Sequence, residues 1–141
     1  MSGHAWILYF ALGCVGCSVP DPKLKQYLVE GERLYLQHCS NCHQPDGGGL
    51  RRVYPPIAGS DYLDANFKRV ICGMKYGMEG EIKVNGVMYN QAMPGVISLT
   101  ELELAELATY ICDKWAKPRG VIEVKDIRPF LDSCARPRPR R

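Results

Sequence analysis

The segment Cys39-Ser40-Asn41-Cys42-His43 constrains this chain more than any other part of its sequence. Two cysteines two residues apart, followed at once by a histidine, form the pattern that attaches haem c covalently. On one helical turn the two thiols can reach the two vinyl groups along one edge of the porphyrin, and the adjacent imidazole can bind the iron as its proximal ligand. The sequence therefore predicts one covalent haem c, bound through Cys39 and Cys42, with His43 on the iron.

Two other uses of a CxxC pair fit this sequence less well. A structural zinc site needs a second ligand pair at short spacing, whereas Cys72, Cys112 and Cys134 are scattered singly. A thioredoxin-like redox pair follows a strand in a βαβ unit, whereas the residues before Cys39 have the periodicity of a helix. Both patterns therefore favour haem attachment.

The positive net charge of the chain comes from its C-terminal end. The 141 residues, one domain by length, carry a formal net charge of +3. Four of the last six residues are arginines, namely Arg136, Arg138, Arg140 and Arg141. Without them 14 basic and 15 acidic residues remain, so nucleic-acid binding by the folded part is not expected. The basic tail at 135–141 is expected to be disordered and solvated, with contact to anionic lipid or an acidic partner as its alternative role.

Residues 1–17 have the composition of an export signal. The apolar run at 5–12 is too short to cross a bilayer core about 30 Å thick and is similar to the apolar region of a signal peptide. Small residues precede both Cys14 and Cys17, as in a bacterial lipobox, so one of these cysteines is expected to carry lipid. A plain secretory signal is the alternative. Both predict export to the periplasmic side of the cell envelope, with residues 18–23 as a tether.

A helix is predicted immediately before the haem motif. Apolar residues recur at three- and four-residue spacing from Leu24 to Cys39, and Gly31 stands one turn before Tyr35. With this glycine and aromatic ahead of CxxCH, the chain resembles the class I c-type cytochromes over about residues 27–116. In that class the glycine lets the C-terminal helix cross the first helix at close range, because glycine has no Cβ.

Two further helices complete the predicted core. Thr100 and Glu103 are expected to form a capping box at the start of the last helix. The resemblance implies that this helix packs on the first helix. A middle helix is predicted from Asp61 to Cys72, ending near Gly73. The wall of the haem pocket is expected to include three aromatic residues, Tyr35, Tyr110 and Trp115.

A β-hairpin is predicted between the middle and last helices. Asn85-Gly86 separates two alternating runs and favours a type I′ turn. In that register Lys83 pairs with Met88, so Met88 is expected to face outward. The chain here resembles envelope cytochromes that carry a V-N-G segment before a Met-Pro loop.

The predicted architecture is all-α. It is a class I cytochrome c fold, with three main helices around one covalently bound haem and a small β-hairpin insertion. The cytochrome domain is predicted at 24–117. A C-terminal extension follows at 118–134, with a short helix predicted at 126–134.

The histidines of this chain exclude a second imidazole on the iron. Only three occur. His4 would leave with the signal peptide, and His38 adjoins Cys39, so it cannot also reach the far side of the ring. Another residue type must therefore supply the distal ligand.

Met93 is the predicted distal ligand. Met74 and Met78 are assigned to the glycine-rich turn after the middle helix, and Met88 is expected to face outward. Met93 lies on a loop that Pro94 stiffens, and the resembled class uses a Met-Pro pair at this place. The alternative is a methionine that only fills a gap.

The resemblance also implies a role for Pro55. In class I cytochromes a proline carbonyl binds the other nitrogen of the proximal imidazole, and Pro55 followed by Ile57 and Gly59 matches that pattern. Such a bond would fix the tautomer and orientation of His43. The alternative is a turn proline without a partner.

The remaining cysteines leave their pairing open. In the resembled class the middle and last helices pack together, which implies a Cys72–Cys112 disulfide and a free Cys134. Buried, reduced cysteines that act as small apolar residues are the alternative.

The predicted ligand set leaves no open iron position, which indicates an electron-transfer protein rather than an enzyme. The expected partners are redox proteins, a quinol-oxidising complex and a terminal oxidase or reductase, reached along a membrane through the lipid anchor. Neither a small-molecule substrate nor nucleic acid is expected. The alternatives are a fixed cytochrome subunit of a larger respiratory or dehydrogenase complex, and a haem sensor or catalyst with a labile distal ligand.

Overall fold

A computed structural model describes residues 21–134, so the predicted signal with Cys14 and Cys17, most of the tether and the basic tail lie outside the described residues. The described part is mostly helical, with one two-stranded antiparallel sheet. Its elements are α1 Pro22–His38, α2 Ser40–His43, α3 Asp61–Ala65, α4 Phe67–Tyr76, β1 Ile82–Val84, β2 Val87–Tyr89, α5 Glu101–Trp115 and α6 Val124–Cys134. Within residues 21–134, none of these helices has the length and apolarity needed to cross a membrane.

The first and last core helices are formed by strong local signals. The Asp21 carboxylate accepts a hydrogen bond from the Lys23 amide at 2.9 Å, and Pro22 occupies the first turn of α1, where no partner for its nitrogen is needed. At α5, Thr100 Oγ1 accepts from the Glu103 amide at 3.2 Å. The Glu103 carboxylate accepts from the Thr100 amide at 2.8 Å. The predicted capping box is confirmed.

The crossing of α1 and α5 depends on Gly31. A Cβ on Gly31 would collide with the Glu106 carbonyl oxygen and would lie 2.5 Å from the Cβ of Tyr110. No side chain fits there, so the predicted close crossing is confirmed. Leu34 and Leu107, on the two helices, are each 1% exposed in the core.

The predicted middle helix differs from the observed one in two ways. Asn66 interrupts it with φ −124° and ψ 34°, which separates α3 from α4. The helix then continues past Gly73 and ends only at Gly77, whose φ is +88°. Gly73 therefore does not end the helix. The Met78 side chain packs against Gly73, and a Cβ on this glycine would lie 2.8 Å from the Cγ of Met78.

The hairpin forms in the predicted register. Lys83 pairs with Met88, and Met88 is 47% exposed, as expected. Asn85 and Gly86 have φ of +48° and +81°, the two positive values that a type I′ turn requires. The Asn85 amide donates to the Asp61 carboxylate at 2.8 Å, which ties the hairpin to α3.

The C-terminal extension contains the predicted helix, and this helix packs on α4. Phe130 meets Phe67 edge to face, with ring centroids 6.3 Å apart. Ile127 is fully buried. The extension is therefore part of the core rather than a loose appendage.

The predicted Cys72–Cys112 disulfide is wrong. Cys72 is joined to Cys134, with their Cα atoms 6.0 Å apart. The packing of α6 on α4 brings the last residue of α6 to Cys72. Among residues 21–134, Cys112 has no disulfide partner, and it is 1% exposed in the core.

Candidate haem site

One cavity brings together the haem motif, the middle helices, the hairpin and the loop before α5. Its walls are mainly apolar. The residues around it include Cys39, Cys42, His43, Pro55, Ile57, Tyr62, Leu63, Val70, Met74, Met78, Ile82, Val84, Tyr89, Met93, Val96, Leu99, Leu107 and Ile111. Every predicted haem-binding residue is among them. We call this space the apolar cavity.

The CxxCH motif occupies its own helical turn. The His43 amide donates to the Cys39 carbonyl at 2.9 Å, and Ser40 Oγ donates to the Leu36 carbonyl at 2.7 Å, which ties α2 to the end of α1. One turn therefore presents both thiols and the imidazole to the same cavity.

His43 is held through one ring nitrogen. Its Nδ1 lies 2.9 Å from the Pro55 carbonyl oxygen. Burial lowers the pKa of His43, and the Pro55 bond only partly opposes this effect. A neutral imidazole that donates from Nδ1 keeps a lone pair on Nε2, which is the form that binds a metal.

Pro55 is fixed by the glycine-rich loop that follows the motif. The Gly49 amide donates to the His43 carbonyl at 2.9 Å. A Cβ on Gly49, whose φ is +70°, would lie 2.7 Å from the carbonyl carbon of Pro55. The Ile57 amide donates to the Gly47 carbonyl at 2.8 Å. The loop thus holds the Pro55 carbonyl against His43.

The thiol of Cys39 is not activated. Burial raises its pKa to about 12, with a smaller contribution from Cys42. A thioredoxin-like nucleophile needs the opposite shift. The shift at Cys39 therefore gives no support to thiol–disulfide exchange at this residue.

Among residues 21–134, three methionines border the apolar cavity, namely Met74, Met78 and Met93. The sequence indicated only Met93 as a ligand. Met74 lies inside α4 and is 5% exposed, so its assignment to the following turn is wrong. Met78 pairs with Met93 as an isolated antiparallel bridge. This pairing joins segments 15 residues apart, and no local sequence pattern signals it.

The predicted aromatic wall is absent from the residues that line the cavity. Tyr35 and Trp115 pack against each other at 4.7 Å between ring centroids, near the crossing of α1 and α5. Tyr35 donates to the Gln44 carbonyl at 2.6 Å. Trp115 covers Gly47. These aromatics contact the loop after the motif and do not line the cavity. The residues that α5 contributes to the cavity are Leu107 and Ile111.

Tyr62 is a residue of the candidate site that no sequence pattern indicated. Its hydroxyl is buried at the apolar cavity and has no hydrogen-bond partner among residues 21–134. Such an orphaned hydroxyl is costly unless a ligand satisfies it. Haem is a flat, apolar ring with two carboxylates on one edge. The apolar walls, the CxxCH side chains, the free imidazole nitrogen and this hydroxyl fit that group.

The fold and the site together define a class I c-type cytochrome. The chain belongs to the cytochrome c family, whose sequence profile, "Cytochrome c", matches residues 28–115. The predicted class I fold, with its small hairpin, is confirmed, and so is covalent haem c as the cofactor.

Two kinds of relative are similar to this chain. Cytochrome c-552 of Thermus thermophilus is 31% identical over 106 residues, which cover 72% of this chain and 78% of that protein. The cytochrome c subunit of a quinone alcohol dehydrogenase from Gluconacetobacter polyoxogenes is 28% identical over 116 residues. That match covers 76% of this chain but only 23% of the subunit.

Proposed function

We propose that this protein carries single electrons between redox proteins through one haem c. Cys39 and Cys42 would form the two thioether links, with His43 as proximal and Met93 as distal ligand. The observation that carries the proposal is the 2.9 Å contact between His43 Nδ1 and the Pro55 carbonyl. Because that contact uses Nδ1, only Nε2 remains to bind iron.

The chemistry of the bound group is a reversible one-electron change at iron. The protein would support it by holding both axial positions, so that no substrate reaches the metal. With haem bound, the apolar cavity would exclude water and favour the less charged, reduced state, and a thioether from Met93 would raise the reduction potential in the same direction.

The proposed partners are a quinol-oxidising complex and a terminal oxidase or reductase. Redox encounters of this kind are small and transient. Export and a lipid anchor on Cys14 or Cys17 belong to the same proposal. They rest on the sequence of the first 17 residues.

A fixed subunit of a larger complex is the second candidate. The observation that favours it is the similarity to the cytochrome c subunits of quinone alcohol dehydrogenases. A subunit of this kind should co-purify with large partner proteins after mild detergent extraction, whereas a shuttle should elute alone.

The electron-carrier proposal is tested by potentiometric titration of the purified holoprotein, followed by haem absorbance. We expect one reversible transition that fits a single electron, unchanged under carbon monoxide. A transition that shifts under carbon monoxide would instead indicate an open or labile distal position, as in a sensor or catalyst.

A further inference from the structure

We propose that the C-terminal end of α4 is a clamp that positions the Met93 loop, residues 93–99, and that Lys75 is its main side chain. This inference rests on the proposed ligation by Met93. The clamp would keep the thioether at the iron while other potential ligands are excluded.

The near half of the loop is held by backbone hydrogen bonds. The Met78 amide donates to the Met93 carbonyl and the Met93 amide donates to the Met78 carbonyl, both at 2.9 Å. The Val96 amide donates to the Met74 carbonyl at 2.9 Å. That last bond also satisfies a carbonyl near the end of α4, where helices lack internal partners.

Two glycines allow the loop to lie directly on the end of the helix. A Cβ on Gly95 would lie 2.5 Å from the carbonyl carbon of Tyr76 and 2.7 Å from the carbonyl oxygen of Lys75. A Cβ on Gly77 would lie 2.9 Å from the Met93 carbonyl oxygen. Backbone therefore packs on backbone here, and Pro94 between these contacts fixes φ and limits movement of the loop.

The far half of the loop is held by Lys75. Its Nζ lies 2.5 Å from the Ile97 carbonyl oxygen and 2.5 Å from the Leu99 carbonyl oxygen. An ammonium group has three donors, so it can bind both carbonyls at once. The bond from Lys75 to Leu99 is partly buried and Leu99 is 3% exposed, whereas the bond to Ile97 lies at an exposed position. Of the two carbonyls, that of Leu99 is therefore the one with less access to water when Lys75 is replaced.

Lys75 thus acts on the iron site through the loop and is a positioning residue. Hydrogen bonds from a charged donor are about twice as strong as neutral ones. The remaining bonds to Met74 and Met78 would still retain the near half of the loop. We therefore expect loosening of the loop rather than unfolding when Lys75 is replaced.

The test compares the Lys75→Met holoprotein with a matched Lys68→Met control. Methionine keeps most of the aliphatic stem but cannot donate to the carbonyls. Lys68 is an exposed residue of the same helix. The readouts are the affinity of ferric protein for imidazole, which competes with Met93, and hydrogen exchange of the backbone amides of residue 93 and residues 95–99, since Pro94 has no amide hydrogen.

In Lys75→Met we expect imidazole affinity to rise about tenfold, the factor expected for lost charge-assisted hydrogen bonds, and the loop amides to exchange faster. The Lys68→Met control should behave as wild type, and Lys75→Arg should restore most of the protection. If the loop amides of Lys75→Met exchange no faster than those of wild type, the clamp is wrong.

The two proposals fail in different ways. If Met93 is not the ligand, wild type and Met93→Ala will bind imidazole with equal affinity. Exchange at 93–99 still reports the clamp in that case, because it does not require ligation. Unchanged exchange in Lys75→Met would overturn the clamp whatever the ligand is.

Discussion

Gly31 of α1 and Tyr110 of α5 lie so close that a Cβ on the glycine would be 2.5 Å from the Cβ of the tyrosine. This contact joins the first and last core helices at a fixed separation. Because α1 ends at the haem motif and α5 lines the cavity through Leu107 and Ile111, the crossing also relates the position of the motif to that of the α5 side of the cavity.

Gly31→Ala should destabilise the protein. Alanine is favoured over glycine inside a helix by roughly 0.5–1 kcal/mol, but overpacking at a tight contact costs about 1–3 kcal/mol, so the steric effect should prevail. Denaturant unfolding of the holoprotein measures the difference. Val29→Ala, at an exposed position of the same helix, serves as the control, and a Gly31→Ala protein as stable as wild type would contradict the close crossing.

Cys134→Ser should lower stability by about 2–4 kcal/mol, because the lost disulfide closes a long loop. Unfolding is measured with and without reductant. Wild type and Cys112→Ala should both lose stability on reduction, whereas Cys134→Ser should not change further. If reduction leaves the wild type unaffected, the Cys72–Cys134 pairing is not formed in solution.

The carboxylate of Glu103 should make the stability of the folded protein depend on pH. Its hydrogen bonds from the Thr100 amide and hydroxyl lower its pKa below the ordinary value of 4.5. The carboxylate therefore stabilises the folded state above about pH 4.5, and this contribution is lost as the pH falls through the lower, folded-state pKa.

Glu103→Gln should thus be less stable than wild type near neutral pH, and the gap should close in acid. Thermal unfolding across that pH range measures it. Glu81→Gln, at an exposed position outside the helices, should show no such gap. A gap for Glu103→Gln that is independent of pH would contradict the charge-based explanation.

Tyr62→Phe should change the haem environment without opening the site. If the orphaned hydroxyl donates to a haem carboxylate, its removal leaves the negative charge of that carboxylate less compensated, so the reduction potential should fall. The carboxylate would also be protonated more readily, so the potential should depend more on pH. Tyr89→Phe is the control, because the Tyr89 hydroxyl already contacts the Arg51 carbonyl at 3.4 Å. An unchanged titration of Tyr62→Phe would show that its hydroxyl does not contact the haem.

The features that could be predicted from the sequence are those determined by residues close together in the chain. The capping box at Thr100 and the turn at Asn85-Gly86 each depend on side chains less than one turn apart. The α1–α5 crossing followed from a resemblance in which Gly31 has a known place. Local patterns of this kind need no knowledge of distant packing.

The features that were missed depend on how distant segments meet. Cys134 reaches Cys72 only because α6 folds back on α4. Met78 reaches the cavity through backbone pairing with Met93, which is independent of side-chain identity and therefore invisible in the sequence. The orphaned hydroxyl of Tyr62 is defined by the absence of a partner among residues 21–134, which only a three-dimensional structure reveals.

The central claim is that His43 and Met93 close both axial positions of one haem. The most direct measurement is the optical spectrum of the holoprotein, oxidised and reduced, with and without carbon monoxide, for wild type and Met93→Ala. We expect low-spin spectra, a weak sulfur-to-iron band in the ferric wild type that Met93→Ala abolishes, and no response of the reduced wild type to carbon monoxide. A high-spin ferric wild type that binds carbon monoxide readily when reduced would contradict the account.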